Sequence, residues 1–425
     1  MNSNPFRQAA PALLLALLAA APLAQAADPI SILFVGNSYT FGRVDPVMSY
    51  NAAQVHDLTA GFNALNPAGT NSYPIGTPGQ GSFEPHPWGG VPGVFKMMTV
   101  QAGLNYDVSL STRNAASLRG QFLNTANSTW DLRGNVASKT WDKVVLQEQS
   151  DAALPAGMGK NANQATFNAY ADKFERFIHT GAAQTYTETQ LFGSLAACTA
   201  TGLSAGSCNT SRVIAANSHA SVNTQVYLEQ SWARPDMVEA HKITLADKSS
   251  SNGAPIVDTS SAGGAATLYY GTLAGMTADL HDAFYNKAAS NSGFAGVVPV
   301  GDAFQLAVDQ GLVKGSGFYK ADGTYDEAGG LNLWWLDRTH ASKYGSYLSA
   351  LTLFGSLTGL DPQSLGRQEQ SAFDLGISST DAWALQQVAA TQLGFALAVP
   401  EPGTWALLLA GLGFIGWRAR QRTVS

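Results

Sequence analysis

Apolar runs that do not alternate with polar residues recur along the chain, and each halts at a polar or glycine-bearing turn. Ile32-Leu33-Phe34-Val35 stops at Gly36-Asn37-Ser38, and Val144-Val145-Leu146 stops at Gln147-Glu148-Gln149-Ser150. Tyr106 to Leu110, Gln225 to Leu228 and Gly296 to Val300 read the same way. Strands buried on both faces give such continuous runs, so the pattern predicts a parallel sheet. Between the runs the period changes. Helices are predicted over Val91 to Ala102 and near Leu118 to Thr125, and Phe167, Tyr170, Phe174, Phe177 and Ile178 mark another helix face. Tyr344, Tyr347, Leu348, Leu351 and Phe354 mark a further one. Strand and helix in alternation specify an α/β domain.

Three stretches interrupt this alternation. Residues 43–90 turn to Gly, Pro, Asn and Ser directly after the first strand, and a loop of that length predicts a rim or lid over a cleft. Trp88 within it is either a stacking platform for a sugar or a loop residue tucked into the core. Residues 191–218 and 248–265 read as insertions. After Pro362 the α/β signals stop. Residues 363–398 then read as a helical linker, with Trp383, Leu385, Val388, Leu393 and Leu397 on one apolar side, either packed back on the domain or serving as a stalk. The domain is expected to span 27–362 and to fold without residues 363–425.

Both ends carry addresses. Arg7, the apolar core Ala9 to Ala21 and Ala24-Gln25-Ala26 have the layout of a secretory signal peptide over residues 1–26. At the other end Pro400-Glu401-Pro402 precedes the apolar run 404–417 and the basic Arg418, Arg420 and Arg422. Residues 399–425 resemble a PEP-CTERM sorting signal, the tail of exported Gram-negative proteins that an exosortase-type enzyme processes. The resemblance implies export to the periplasm, outer surface or extracellular matrix, with transient anchoring through 404–417. That run would be about 21 Å long as a helix against a hydrocarbon core of about 30 Å, a marginal span on its own. Export also changes the reading of Cys198 and Cys208, which are expected to pair in an oxidising compartment.

Composition narrows the partners. Of 425 residues 13% are charged, with a net charge of −6 and scattered Lys and Arg, so no basic footprint for nucleic acid exists and uncharged substrates fit better. His56, Asp57, Glu84 and His86 follow no ligand spacing, so neither a metal nor another cofactor is expected.

The chemistry lies at the turns. Ser38 sits where the first strand ends, the place where open α/β sheets gather ligands. Asp337 and His340 precede a helix, three residues apart, so the carboxylate can fix the imidazole's tautomer and leave its other nitrogen for a hydroxyl proton. Asp337 could equally cap that helix. Gly36-Asn37-Ser38 together with Asp337-x-x-His340 resembles the first and last blocks of the SGNH (GDSL-like) hydrolases, over roughly residues 29 to 362. That resemblance implies a flavodoxin-like three-layer α/β/α sandwich and acyl-ester hydrolysis by a Ser38, His340, Asp337 triad. It implies an oxyanion hole from the Ser38 N–H and groups of two middle blocks, and here the chain departs from pattern. Arg113-Asn114-Ala115 stands around the expected glycine and Gln149 stands on the expected asparagine, so Asn114 and Gln149 are the candidate donors. Gln-Glu-Gln-Ser, Trp232-Ala233-Arg234-Pro235 and Pro299-Val300-Gly301-Asp302-Ala303 resemble a less characterised branch. The expected function is a serine esterase acting on O-acyl groups of a surface polysaccharide or another small ester. Its rival is a non-catalytic carbohydrate-binding or matrix protein that keeps the fold.

Overall fold

Strand β1 (Ile30–Gly36) lies in the middle of a six-stranded sheet, and Ile32, Leu33 and Val35 in it are fully buried. In this computed structural model residues 28–43, 46–60, 87–123, 131–241, 265–322 and 325–395 are described, with the backbone pairing of 73–74 to 81–82 and of 248–249 to 255–256. The expected signal peptide and sorting tail, Glu84 and His86, and most of the 248–265 insertion lie outside the described residues.

The other strands are β2 (His56–Asp57), β3 (Tyr106–Thr112), β4 (Lys143–Gln147), β5 (Gln225–Glu229) and β6 (Phe294–Val298). Their spatial order is β6-β5-β4-β1-β3-β2, and every pairing is parallel. Apart from the short edge strand β2, the chain order across the sheet is second, first, third, fourth, fifth. That is the doubly wound arrangement, in which the connections part on either side of β1 and leave a crevice at the strands' carboxyl ends. In register, Phe34 of β1 faces Leu110 of β3 and Val145 of β4.

Helices flank the sheet. One group is α2 (Gly90–Gln101), α6 (Val300–Asp309), α7 (Lys343–Thr358) and α8 (Ser379–Gln392), which pack on one another. The other contains α3 (Leu118–Leu123), α4 (Gln164–His179) and α5 (Leu273–Ser290), joined by ring contacts of Phe122 with Phe174 at 5.0 Å and of Phe167 with Phe284 at 4.8 Å. A four-residue helix, α1 (Ser38–Phe41), follows β1 directly. The expected α/β architecture with a central parallel sheet is therefore present.

Two expectations need correction. The stretch 43–90 is not a loop throughout. Val47 and Met48 are buried, and His56–Asp57 pairs with β3 to become the sheet's edge strand. Trp88 is buried and stacks on Phe41 at 3.9 Å, which makes it a core residue and not a platform. None of the described residues from 46 to 90 lines the pocket beside Ser38, and most of 61–86, where the rim or lid is expected, lies outside the described residues. Nor is 363–395 a linker. Leu365, Leu375, Ile377, Leu385 and Val388 belong to the same hydrophobic core as the sheet. Gln101 Nε2 donates to Leu365 O at 2.8 Å, and Tyr50 Oη donates to Asp374 Oδ2 at 2.8 Å, so the segment is tied to α2 and to the 46–60 region. The apolar side of α8 was legible, but which surface it covers depends on the fold.

The insertion after α4 is a small module. Strands Gln184–Tyr186 and Arg212–Ile214 pair antiparallel, and the helices Leu195–Ala200 and Ala205–Asn209 between them are joined by the Cys198–Cys208 disulfide. The expected pairing of the two cysteines is present. Glu188, fully buried, receives Arg119 at 2.6 Å and Arg212 at 2.9 Å, which fastens the module to α3.

Candidate active site

Ser38 is placed by a turn that only a glycine permits. A Cβ on Gly36 would come within 2.0 Å of Thr40 Oγ1 and 3.1 Å of Gln147 Cβ. Asn37 then caps α1, its Oδ1 accepting from Tyr39 N at 3.0 Å, while its Nδ2 donates to Ala116 O at 3.0 Å and ties this turn to the loop after β3. Ser38 is the first residue of α1 and nearly buried.

Its hydroxyl meets His340 Nε2 at 2.8 Å, and His340 Nδ1 meets Asp337 Oδ2 at 2.5 Å. The second carboxylate oxygen, Oδ1, accepts the backbone N–H of His340 at 2.9 Å and of Thr339 at 3.0 Å. Asp337 caps no helix; the cap of α7 is Ser342. Burial alone would raise the Asp337 carboxyl, but the His340 ring and the two backbone N–H groups outweigh it and hold it at about 2. An ionised Asp337 fixes the imidazole with its proton on Nδ1, leaving Nε2 as the acceptor for the Ser38 hydroxyl.

Between acid and base stands Arg338 with φ of +55°, left-handed backbone for a non-glycine residue. Its guanidinium is buried and donates to Trp335 O at 3.1 Å, Asp326 O at 3.1 Å and Phe318 O at 3.3 Å, and pairs with Glu327. These bonds hold the turn in a conformation that the backbone alone disfavours. Thr339 O accepts from both Tyr39 Oη at 2.9 Å and Trp232 Nε1 at 3.0 Å, and those two rings stack at 3.8 Å. The residue after the nucleophile thus clamps the turn that carries the base. Arg234 completes the frame, donating to Thr339 Oγ1 at 3.0 Å, Ser150 Oγ at 2.9 Å and Asp236 Oδ2 at 2.5 Å. Spacing gave no sign of Tyr39 or of these roles for Trp232 and Arg234, although the Trp-Ala-Arg-Pro motif was visible.

Asn114 and Gln149 both line the pocket that Ser38 and His340 line. Asn114 Oδ1 accepts from Arg43 Nη1 at 3.2 Å, which leaves its NH2 as the group to offer a ligand. Ala115 beside it has φ of +56°, the second left-handed non-glycine residue at this site. Gln149 Nε2 gives one of its two N–H donors to Ser150 Oγ at 3.0 Å and keeps the other, and its Oε1 is buried without a partner among the described residues. Gln147 is internal: its Oε1 accepts from Asn37 N at 3.3 Å.

The pocket measures about 790 Å³. Asn161, Asn163 and Lys160 line it on one side, and the rings of His241 and Tyr319, stacked at 4.0 Å, line another. Leu203 of the disulfide module also reaches it. As for the histidine and acids of the 43–90 stretch, His56 pairs with Asp107 at 3.0 Å and Asp57 accepts from Thr59 N at 2.9 Å. Among the described residues no three His, Cys, Asp or Glu side chains group as a metal site.

Solved structures of similar shape include a DUF4886 family protein of Bacteroides uniformis, with 12% identity, a TM-score of 0.40, and coverage of 86% of this chain and 95% of that one. A candidate SGNH hydrolase of Slackia heliotrinireducens shows 16% identity and a TM-score of 0.31 over 78% of this chain and 100% of that one. Phospholipase A1 of Streptomyces albidoflavus shows 12% identity and a TM-score of 0.29 over 78% and 99%. These likenesses are distant in sequence and in backbone. No curated protein matches the chain. Residues 398–422 match the PEP-CTERM protein-sorting motif, the mark of a chain that is exported, anchored by its C-terminus and processed by an exosortase.

Proposed function

We propose that the protein is an exported serine esterase that removes acyl groups, in particular O-acyl groups of surface or extracellular polysaccharide. The observation that carries this reading is the continuous relay from Ser38 Oγ through His340 to Asp337 at the wall of an open polar pocket. Ser38 attacks the acyl carbonyl while His340 Nε2 takes its proton. The developing oxyanion is held by the Ser38 backbone N–H with the amides of Asn114 and Gln149. His340 then returns the proton to the departing alcohol, and water discharges the acyl-enzyme by the same route. Asp337 keeps the ring oriented and stabilises the imidazolium that forms.

The sugar substrate is supported by the pocket's lining. Asn114, Gln149 and Lys160 place polar groups on its wall, and the rings of His241 and Tyr319, stacked on each other, add aromatic surface of the kind that binds a pyranose. Residues 1–26 act as the export leader and 404–417 as the transient anchor, released by the exosortase-type enzyme. One observation favours the rival, a non-catalytic carbohydrate-binding or matrix protein: one N–H of the Gln149 amide is given to Ser150.

The test is hydrolysis of short-chain aryl esters and release of acetate from an acetylated polysaccharide, with Ser38→Ala alongside. Turnover lost in the variant supports the esterase. Equal rates, or no turnover on either substrate, leave the matrix-protein reading.

A further inference from the structure

Two segments that flank the nucleophile are joined by one oxygen atom. Glu148 Oε1 accepts the backbone N–H of Leu118 at 3.0 Å and of Gln149 at 2.6 Å, bridging the loop after β3 to the end of β4. Glu148 is 1% exposed, yet it lines the pocket shared by Ser38 and His340. Its Oε2 has no hydrogen-bond partner among the described residues.

The charges around it offer no counter-ion. Asp151 is the nearby charge that acts on it, and it is an anion. Of the cations lining the pocket, Arg234 is taken by Asp151 and Asp236, and Arg119 by Glu188; Lys160 also lines it, as an exposed side chain that is not among the charges acting on Glu148; Asp337 and His340 are occupied with each other. A carboxylate here would be a largely buried anion without a counter-ion, its unpartnered oxygen open only to the pocket, a costly arrangement. A carboxylic acid fits every contact: Oε1 serves as the carbonyl oxygen for two N–H donors, and Oε2–H points a donor at whatever fills the pocket. Burial pushes this carboxyl up to about 8, against the lowering effect of the two backbone N–H groups.

On the esterase reading, we propose that Glu148 is a substrate-contacting residue, a neutral carboxylic acid whose Oε2–H donates a hydrogen bond to the acyl group of the bound ester. It supplements Asn114 at a site where one of the two Gln149 N–H donors is engaged by Ser150. Deprotonation acts twice in the same direction. It removes a donor, and it places a negative charge in the pocket where the oxyanion has to develop.

The test compares kcat/KM for a short-chain aryl ester in the full chain and in Glu148→Gln between about pH 6 and pH 10. The parent is expected to lose about tenfold per pH unit above the group's titration, and the ratio of variant to parent to rise by the same factor, because a glutamine keeps a donor and cannot ionise. A role confined to bracing the two loops would leave the ratio flat, since the glutamine oxygen accepts the same N–H groups; a flat ratio overturns the proposal while the esterase stands. A chain that hydrolyses no ester at any pH overturns the esterase and the contact together. Infrared spectra give an independent readout: the parent-minus-Glu148→Gln difference at neutral pH is expected to show one carboxylic-acid carbonyl band over and above that of Glu229, and a difference spectrum without such a band overturns the protonated state.

Discussion

Asp337 holds His340 twice, by the ring nitrogen at 2.5 Å and by the backbone N–H at 2.9 Å, one carboxylate oxygen to each. Base and acid are therefore a single unit, and the rest of the domain fixes both its shape and its position: Tyr39, Trp232 and Arg234 all bond Thr339 between them, and Arg338 anchors the same left-handed turn to residues 318–327.

Asp337→Asn should leave the fold in place and reduce kcat by about 10³ to 10⁴, because an amide can present its NH2 and hold the imidazole in the wrong tautomer. Ser38→Ala should abolish acyl-enzyme formation with little loss of stability. Mass spectrometry after a fluorophosphonate probe is the check: labelling of the parent at Ser38 and none in Ser38→Ala is expected, and labelling elsewhere would move the nucleophile.

Asn114 and Gln149 can be ranked as donors. Asn114→Ala is expected to cost about 10² to 10³ in kcat, because Arg43 already orients its amide with the NH2 free. Gln149→Ala should cost less, since one of the two Nε2 donors is already given to Ser150 and the direction of the other is tied to that bond. Steady-state kinetics of both variants decide it, and a larger loss for Gln149→Ala would mean that its amide swings to the substrate on binding.

A chain ending at Thr358 or Pro362 should fail to give soluble folded protein, whereas one ending at Phe395 should fold. The shorter chains lose Leu365, Leu375, Ile377, Leu385 and Val388 from the core, each worth about 1.5 to 3 kcal/mol when buried. Gly355 also marks the contact, since a Cβ there would lie 2.3 Å from Leu393 Cδ1. Expression of the three lengths with circular dichroism is the measurement, and a folded chain ending at Pro362 would put the domain boundary back at that residue.

Local features were the legible ones. Continuous apolar runs located β1 and β3 to β6 within a few residues, because a strand covered on both faces must be apolar throughout. Ser38 and the Asp337-x-x-His340 pair could be singled out because each needs only its own turn. The edge strand His56–Asp57 was hidden by its brevity, and α5 (Leu273–Ser290), whose buried face is spread over Leu273, Met276, Leu280 and Phe284, lies in a region the pattern left unassigned. Gln149 occupied a position expected to face substrate, and its neighbour Glu148 lines the same pocket, which the pattern did not indicate. How adjacent side chains at a strand's end are placed is set by contacts from distant segments, here Leu118 on Glu148 and Arg234 on Ser150, and spacing cannot report it.

Glu229 gives a test of stability that is separate from the site. It ends β5 opposite Gln147 of β4 and Val298 of β6, is 2% exposed, does not line the pocket, and makes no side-chain hydrogen bond among the described residues. Burial pushes its carboxyl from 4.5 to about 8. The folded chain therefore keeps a proton that the unfolded chain has lost, so this group's effect is neutral below about 4.5 and erodes stability as pH rises from there to about 8, with no further loss above. Glu148 contributes a slope of the same sign in the same window, so the parent's decline has two sources. Glu229→Gln should remove one of them: the stability of the variant relative to the parent should climb across that window by an amount on the order of a few kcal/mol and then level off. Urea unfolding at a series of pH values measures it, and parallel curves for parent and variant would show that the Glu229 carboxyl is ionised in the folded chain.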